Sequence, residues 1–246
     1  MSSLLQYRII FLGDIVGRPG REAVLSALPT LKNELRPTFI IVNGENSAHG
    51  VGITPDIADS LYKAGVDAIT LGNHAFNKRE IYDYLQTGRP IVRPANASAQ
   101  SPGRVYMDGY DDPFPCVDRL IAEANTPHFL LDFHAEATSE KIAMGFYCDG
   151  KVTAVLGTHT HVATADEQIL AGGTAYQTDV GMCGPWPSVL GMEKSVILRK
   201  FLTGMPTKFE VAEAQGVISG VVIDVHKETG RAIAIRRLPL RPTPKH

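Results

Sequence analysis

The sequence predicts an α/β fold built largely on parallel strands. Short apolar runs bounded by glycine, asparagine or aspartate recur along the chain, as is typical of strands that are buried on both faces. Amphipathic helical segments alternate with these runs, and such alternation indicates an α/β architecture. Of the 246 residues, 44% are hydrophobic and 20% are charged, so the chain can bury a sizeable core.

The strands and helices are predicted in the following order. Strands are expected at residues 7–12, 39–42, 68–71, 129–133, 152–156 and 217–225. A first helix over residues 20–35 places Val24, Leu28 and Leu31 on one face. A second helix begins after Thr54, which caps it ahead of a proline, and a third begins at Thr138. A helix over residues 189–202 and a closing pair of strands joined by a turn at 227–230 complete the chain.

Composition and charge argue against several classes of protein. The formal net charge is −2, and no long run of lysine or arginine indicates a nucleic-acid surface. Cys116, Cys148 and Cys183 are too few and too scattered for a disulfide framework, so we expect free thiols. The apolar run near the N-terminus is too short for a membrane span and lacks a signal-peptide cleavage pattern. We therefore expect a cytoplasmic protein.

Polar side chains follow five of the predicted strands at the point where each strand ends. They are Asp14, then Glu45 and Asn46, then Asn73 and His74, then His134, and finally His159 and His161. Because the carboxyl ends of parallel strands share one edge of a sheet, we expect these side chains to meet there. Each feature alone is more often a helix cap, a turn residue or a core histidine. Five such coincidences at equivalent positions favour a common binding site.

The residue types at these strand ends suit a pair of divalent metal ions. Carboxylate, amide oxygen and imidazole without thiolate favour manganese, iron, cobalt, nickel or zinc in a reactive site over a structural zinc site. Three histidines argue against magnesium or calcium alone. The seven candidate ligands exclude His74; they are more than one tetrahedral ion needs and suit two ions that share a carboxylate. They are Asp14, Glu45, Asn46, Asn73, His134, His159 and His161. The strongest single indication is the spacing of His159 and His161, because a turn there can direct both imidazoles to adjacent ions.

Five ordered blocks of sequence carry these residues. The blocks are Gly13-Asp14, Gly44-Glu45-Asn46, Gly72-Asn73-His74, His134 and Gly157-Thr158-His159-Thr160-His161. In this order they resemble the calcineurin-like metallophosphoesterases. The stretches NGENSAHG (residues 43–50), DFHAEATSEK (132–141) and GGTAYQTDVGMCG (172–184) resemble the YmdB-like branch, a family of cyclic-nucleotide phosphodiesterases. The resemblance runs from about residue 7 to residue 236.

The resemblance implies a fold and a ligand set. The fold is a four-layer α/β/β/α sandwich, formed as a single metallophosphoesterase domain over residues 1–246. One ion is held by Asp14, Glu45, Asn46 and His161, and the other by Glu45, Asn73, His134 and His159, with Glu45 bridging. Iron or manganese is the usual metal of the family. His74 lies near the substrate as a general acid or as an electrostatic partner of the phosphate. Thr178 and Asp179 follow a strand and are candidates for supporting the ligands.

The reaction that follows is hydrolysis of small phosphodiesters, cyclic nucleotides in particular, by attack of a metal-bridging hydroxide. A phosphomonoesterase or nucleotidase is an alternative, because the sequence shows no pocket wall that separates diesters from monoesters. A regulatory protein that binds a nucleotide at the metal centre with little turnover is a second alternative. The expected partner is a small phosphodiester or nucleotide, with no membrane and no strong indication of nucleic acid. Whether the chain forms a homo-oligomer stays open.

Two departures from the family pattern affect these expectations. Most metallophosphoesterases place a histidine two residues after the first aspartate and an aspartate in the second block, where this chain has Val16 and Glu45. The YmdB-like branch shares both changes. The second departure lies near residues 100–107, where Ser101-Pro102-Gly103 runs directly into Arg104-Val105-Tyr106-Met107. The resemblance implies that a strand or hairpin is missing there.

Overall fold

A computed structural model of the chain describes residues 5–97 and 111–238. Within these ranges, two β-sheets pack face to face and helices cover their outer faces, so the prediction of a four-layer α/β/β/α sandwich is confirmed. A small third sheet lies beside them. The missing strand or hairpin predicted near residues 100–107 lies outside the described residues.

The larger sheet has six strands in the order β13-β12-β1-β3-β4-β5. These strands are β1 (Gln6–Leu12), β3 (Phe39–Asn43), β4 (Ala68–Thr70), β5 (Ile91–Val92), β12 (Gly220–His226) and β13 (Ala232–Arg237). Within this sheet, strands β1, β3, β4 and β5 run parallel to one another. The closing pair, β12 and β13, is the predicted hairpin, and β12 lies antiparallel against β1.

The second sheet has four strands in the order β6-β7-β9-β8, and the third has three in the order β11-β10-β2. Their bounds are β2 (Asp14–Ile15), β6 (Leu130–His134), β7 (Ala154–Thr158), β8 (Gln168–Ile169), β9 (Ala175–Gln177), β10 (Met182–Pro185) and β11 (Gly216–Val217). Strands β6, β7 and β9 run parallel. The third sheet pairs Asp14 with Met182, which ties the end of the first strand block to the later part of the chain.

Six helices are described. They are α1 (Gly17–Leu35), α2 (Pro55–Lys63), α3 (Ile81–Tyr84), α4 (Pro113–Ala124), α5 (Thr138–Tyr147) and α6 (Lys194–Thr203). The predicted cap of α2 is confirmed, because the Thr54 side chain accepts a hydrogen bond from the Ile57 N–H. The predicted start of α5 at Thr138 is also confirmed.

Three apolar cores separate the four layers. Alternate residues of β1 serve two of them, because successive side chains of a strand point to opposite faces. Ile10 and Leu12 pack with Val24 and Leu28 of α1, on the helix-covered face of the larger sheet. Ile9 and Phe11 belong instead to the core between the two sheets, which also contains Leu156 and Ile223. A third core joins the second sheet to α4 and α5 through Val155, Val117 and Met144.

Two predicted elements are wrong in their bounds. The helix expected over residues 189–202 begins only at Lys194, because Leu190 and Gly191 adopt positive φ angles of 53° and 90° that no α-helix contains. The strand expected over 217–225 is two strands, since the chain leaves the third sheet after Val217 and enters the larger sheet at Gly220. A continuous apolar run does not show that its two halves belong to different sheets.

The cysteines carry no disulfide bond, and the helices were compared with the length and hydropathy of a membrane span. All three cysteines are free thiols, with Cys148 and Cys183 buried and Cys116 partly buried. Burial raises the pKa of the Cys183 thiol to about 12, so this sulfur is unreactive. Across residues 5–97 and 111–238, the helices lack the length and apolar character that crossing a bilayer requires.

We predict that Phe11→Ala destabilises the protein by about 3–5 kcal/mol, because the ring is fully buried between the two sheets and its loss leaves a cavity. The matched control is Phe201→Ala on α6, whose side chain is 76% exposed and should change the unfolding free energy little. Urea unfolding of both variants measures the difference. Equal losses in the two variants would contradict the assignment of Phe11 to the inter-sheet core.

Candidate metal centre

The polar strand ends meet where the rims of the two large sheets face each other. Glu45 and Asn73 reach this place from loops that follow strands β3 and β4, and Asp14 is the first residue of β2, shortly after β1. His134 ends β6, and His159 follows β7. The strand-end pattern predicted a single sheet edge, whereas these side chains come from two sheets and approach a common centre from opposite sides.

The tightest group surrounds one nitrogen of His134. Its Nε2 atom lies 3.0 Å from Glu45 Oε1, 2.9 Å from Asn73 Oδ1 and 3.0 Å from His159 Nδ1. An imidazole nitrogen carries at most one hydrogen, and the two oxygens have none to give. Several electron-rich atoms therefore converge with too few hydrogens between them. This donor set fits a cation, and Glu45, His134 and His159 have ligand geometry for a metal ion.

Asp14, Asn46 and His161 lie beside this group. The Asn46 amide nitrogen is 3.0 Å from Glu45 Oε1 and 3.3 Å from His161 Nε2. A metal bond through the Asn46 oxygen requires a half-turn of the amide, which preserves its shape. Asp14 is fully buried, and its Oδ2 accepts a hydrogen bond of 3.1 Å from the His159 N–H. Its Oδ1 has no hydrogen-bond partner among the described residues, a costly arrangement that a bound cation would relieve.

Glu45 lies between the two predicted ligand sets. Its Oε1 contacts His134 of one set and Asn46 of the other, each at 3.0 Å. Its Oε2 accepts from the His74 backbone N–H at 3.0 Å, and its own N–H donates to Asn43 Oδ1 at 3.1 Å. These contacts fix the carboxylate in the position that a bridging ligand needs.

Burial and neighbouring charges shift the acidities of this cluster. Burial raises the pKa of Asp14 to about 6, against the lowering effect of His161 and His134. Burial also acts to raise the pKa of Glu45, but the charge and hydrogen bond of His134 outweigh it and lower the pKa to about 2. For His134, burial acts to lower the pKa, and the Glu45 carboxylate raises it to about 9. Burial, followed by the charge of His134, lowers the pKa of His159. Strong mutual shifts of this kind are common at functional sites.

Each of the three histidines has its outer ring nitrogen anchored. His134 Nδ1 lies 2.8 Å from Thr158 Oγ1, and His161 Nδ1 lies 3.0 Å from the Leu190 carbonyl oxygen. His159 Nε2 lies 3.0 Å from a carboxylate oxygen of Glu136. Histidines that bind metals are held in this way, because the outer contact fixes the ring and its tautomer. The remaining nitrogen of every ring faces the cluster.

The segment that carries His159 and His161 is held in a strained conformation. Both residues have positive φ angles, 100° and 65°, which cost about 1–3 kcal/mol each in a residue with a side chain. Thr160 between them is tied down by Asp179, whose Oδ2 accepts from the Thr160 N–H at 3.1 Å and hydroxyl at 2.8 Å. Lys141 neutralises this buried carboxylate at 2.7 Å. The ion pair of Lys141 and Asp179 therefore holds the segment that carries both histidines.

His74 and Gly72 complete the near surroundings. The His74 ring lies between Asn77 Oδ1, 3.2 Å from its Nδ1, and the Asn73 amide nitrogen, 3.4 Å from its Nε2. The residue before Asn73 must be glycine, since a Cβ there would overlap the side chains of Glu45 and His134. The backbone at Gly72 thus approaches the cluster as closely as it can.

A cavity of about 700 Å³ opens beside the cluster, between the edge strands β5 and β6. Asn73, His134 and His159 line one end of it. Apolar side chains line much of the remainder, among them Phe114, Val117, Leu120, Leu131, Phe133 and Met144. The cavity offers space for organic groups next to the candidate metal ligands.

Sequence reasoning found the residues at the cluster and missed most of those behind it. Glu136, Lys141 and Thr158 were not predicted to act, although each holds a histidine or its loop. Asp179 was predicted as a support, and the structure places it against Thr160. Lys141 lies in helix α5, and only its burial beside Asp179 distinguishes it from a surface lysine.

Comparisons with known proteins agree with this fold. A model of the YmdB-like protein family matches residues 10–108 and 102–238. The 2′,3′-cyclic-nucleotide 2′-phosphodiesterase of Bacillus subtilis strain 168 is 48% identical over 253 aligned positions, covering 94% of this chain and 96% of that protein. A crystal structure of a hypothetical protein from Thermus thermophilus is 41% identical with a TM-score of 0.84, covering 94% and 98% of the two chains. A crystal structure of a novel phosphatase from Mycoplasma pneumoniae is 32% identical with a TM-score of 0.87, covering 95% and 92%.

The layered sheets and the ligand-bearing rim define a protein of the metallophosphoesterase class. Because the family model spans most of the chain, the chain belongs to the YmdB-like family, as its sequence blocks predicted. The two matched segments overlap at residues 102–108, the stretch in which the sequence predicts a missing strand or hairpin.

We predict that Lys141→Met destabilises the protein by about 3–5 kcal/mol, because it leaves the buried Asp179 carboxylate without its counter-ion. The matched control is Lys151→Met, which removes a lysine paired with Asp118 at the surface, where the two side chains are 43% and 47% exposed. That change should cost about 1 kcal/mol or less. Denaturant unfolding compares the two variants, and a similar loss in both would show that the buried pair has no special weight.

Proposed function

We propose that the protein is a phosphodiesterase that hydrolyses small phosphodiesters, cyclic nucleotides in particular, at a dinuclear metal centre. The observation that carries this proposal is the orientation of the three histidines, each held by its outer nitrogen with the other nitrogen directed at the cluster of Glu45, Asn73 and Asn46. Membership of the YmdB-like family supports it, as does the phosphodiesterase from Bacillus subtilis at 48% identity.

Two ligand sets that share Glu45 support a pair of ions rather than one. We propose that Asp14, Glu45, Asn46 and His161 hold one ion, and that Glu45, Asn73, His134 and His159 hold the other. Asp14 Oδ1, which has no hydrogen-bond partner within residues 5–97 and 111–238, and the crowded His134 Nε2 suit these assignments. Iron or manganese fits the mixed oxygen and imidazole set.

The chain's own contribution is to fix these groups and to place His74 beside them. When bound, two divalent ions would supply positive charge for the phosphate oxygens and an acidified water for attack on phosphorus. The His74 backbone N–H holds Glu45, while its ring stands beside the Asn73 amide. We propose that this ring donates a proton or a hydrogen bond to the leaving oxygen of the diester. The net change adds water across one P–O bond.

The ligands come from residues 14 to 161, which span both large sheets. This supports our proposal that residues 1–246 form a single domain, because neither sheet alone holds a complete ligand set. The free thiols of Cys148 and Cys183 suit a reducing compartment, and we propose a cytoplasmic location.

A phosphomonoesterase is the second candidate, because the related Mycoplasma pneumoniae structure is described as a phosphatase.

Metal-stripped protein should be inactive, and added Mn²⁺ should restore hydrolysis of bis-p-nitrophenyl phosphate and of a 2′,3′-cyclic nucleotide. Turnover of p-nitrophenyl phosphate should be at least about 10-fold slower. Faster monoester hydrolysis would favour the second candidate, and binding of the cyclic nucleotide without hydrolysis would contradict both.

We predict that His74→Ala lowers turnover of the diester by about 100-fold or more while metal content stays near normal. By contrast, His134→Ala should lose metal and activity together. His128→Ala, which removes an exposed histidine bonded to Tyr7, is the control and should retain full activity. Metal analysis beside steady-state kinetics separates the three. Loss of metal in His74→Ala would overturn the role assigned to that ring.

A further inference from the structure

Asp132 in the middle of β6 joins the rims of the two sheets directly behind the metal cluster. Its Oδ2 accepts hydrogen bonds from the Asn43 amide at 3.0 Å and the Thr70 hydroxyl at 2.5 Å, both on strands of the larger sheet. Its Oδ1 accepts a bond of 2.7 Å from the hydroxyl of Thr158, which ends β7 of the second sheet. One carboxylate thus gathers three donors from three strands.

This carboxylate is connected to two of the proposed ligands. Asn43 accepts from the Glu45 backbone N–H through its Oδ1, so its amide nitrogen is the atom that must face Asp132. On the other side, Thr158 Oγ1 lies 2.8 Å from His134 Nδ1. Asp132 therefore acts on Glu45 through Asn43, and on His134 through Thr158.

When His134 is a ligand, the hydrogens along the hydrogen-bonded series Asp132–Thr158–His134 can be arranged in one order. Its Nε2 must then offer a lone pair, so the ring hydrogen resides on Nδ1 and is donated to Thr158 Oγ1. The single Thr158 hydroxyl hydrogen is left for Asp132 Oδ1. Asp132 Oδ1 accepts this hydrogen, while its Oδ2 accepts from Asn43 and Thr70.

We propose that Asp132 is a positioning residue that, through Thr158, sets the tautomer and orientation of His134 for metal binding. The inference rests on the proposed function, because it concerns how a ligand of the second ion is prepared. Asp132 acts on the proposed ligand through Thr158, so its role is to position and not to bind. Its role goes beyond holding the sheets together, since the hydrogen order that it imposes decides which imidazole nitrogen is free.

Asp132→Asn is the sharpest test of this relay. The new oxygen must take the place of Oδ2 to keep the bonds from Asn43 and Thr70, which turns the new NH₂ group toward Thr158. Thr158 then accepts that hydrogen and donates its own to His134 Nδ1, which leaves a hydrogen on Nε2 where the ion should bind. We expect affinity for one of two Mn²⁺ ions to fall about 10–100-fold and the other to change little.

Variants of Thr158 separate positioning from packing. Thr158→Val removes the hydroxyl at nearly constant volume and should lower affinity for the same ion, whereas Thr158→Ser keeps the hydroxyl and should restore it. The matched control is Thr174→Val, which removes a buried hydroxyl bonded to the Val152 carbonyl oxygen, just before strands β9 and β7 of the second sheet begin. It should lower the unfolding temperature without changing Mn²⁺ affinity.

Equilibrium dialysis against Mn²⁺ with metal analysis gives the number of ions bound and both affinities. Thermal unfolding in EDTA shows whether each variant is folded. If wild-type protein does not bind two ions, the proposed function fails first. If it binds two and Asp132→Asn binds both as tightly, the positioning role alone is overturned. Equal losses of affinity in Thr158→Val and Thr174→Val, or in Thr158→Val and Thr158→Ser, would also overturn it.

Discussion

The concentration of electron-rich atoms around Glu45 is the constraint on which the rest of the structure depends. In the part of the chain that the structure describes, a buried glutamate, a buried aspartate with one oxygen lacking a hydrogen-bond partner, and three imidazoles form a chain of close contacts. Such a group is costly to assemble in a protein interior unless a cation balances it. The surrounding fold can be understood as the means of holding these atoms together before any ion arrives.

The sandwich holds these atoms together in two ways. Its inter-sheet core, around Phe11 and Leu156, sets the distance between the two rims, so side chains from opposite sheets reach the same centre. Polar residues then fix each ligand individually. Asp179 and Lys141 hold the strained histidine segment, and Asp132 with Thr158 holds the ring of His134. Apolar packing thus sets the separation of the two rims, and hydrogen bonds set the orientation of the individual side chains.

Much of this cluster could be predicted from the sequence, because its members are polar residues placed just after apolar strands. Asp14, Glu45 and His134 stand out by that placement alone, and the structure brings them together. The division into two sheets could not be predicted from periodicity, since a strand buried on both faces looks the same in either sheet. Lys141 and Asp132 were equally hidden, because their importance depends on contacts with residues far along the chain. Short strands such as β8 and β9 are too brief to leave a pattern.

The pairing of β1 with β12 has a consequence for how the molecule is made. The strand that leads into Asp14 lies between β3 and a strand from the far end of the chain, with Gln6 opposite His226 and Leu12 opposite Gly220. During synthesis, the first strand leaves the ribosome long before its neighbour exists. The hydrogen bonds along one edge of β1 must wait until Gly220–His226 has been made, and closing so long a loop is slow. The larger sheet is therefore completed only after β12 has been synthesised.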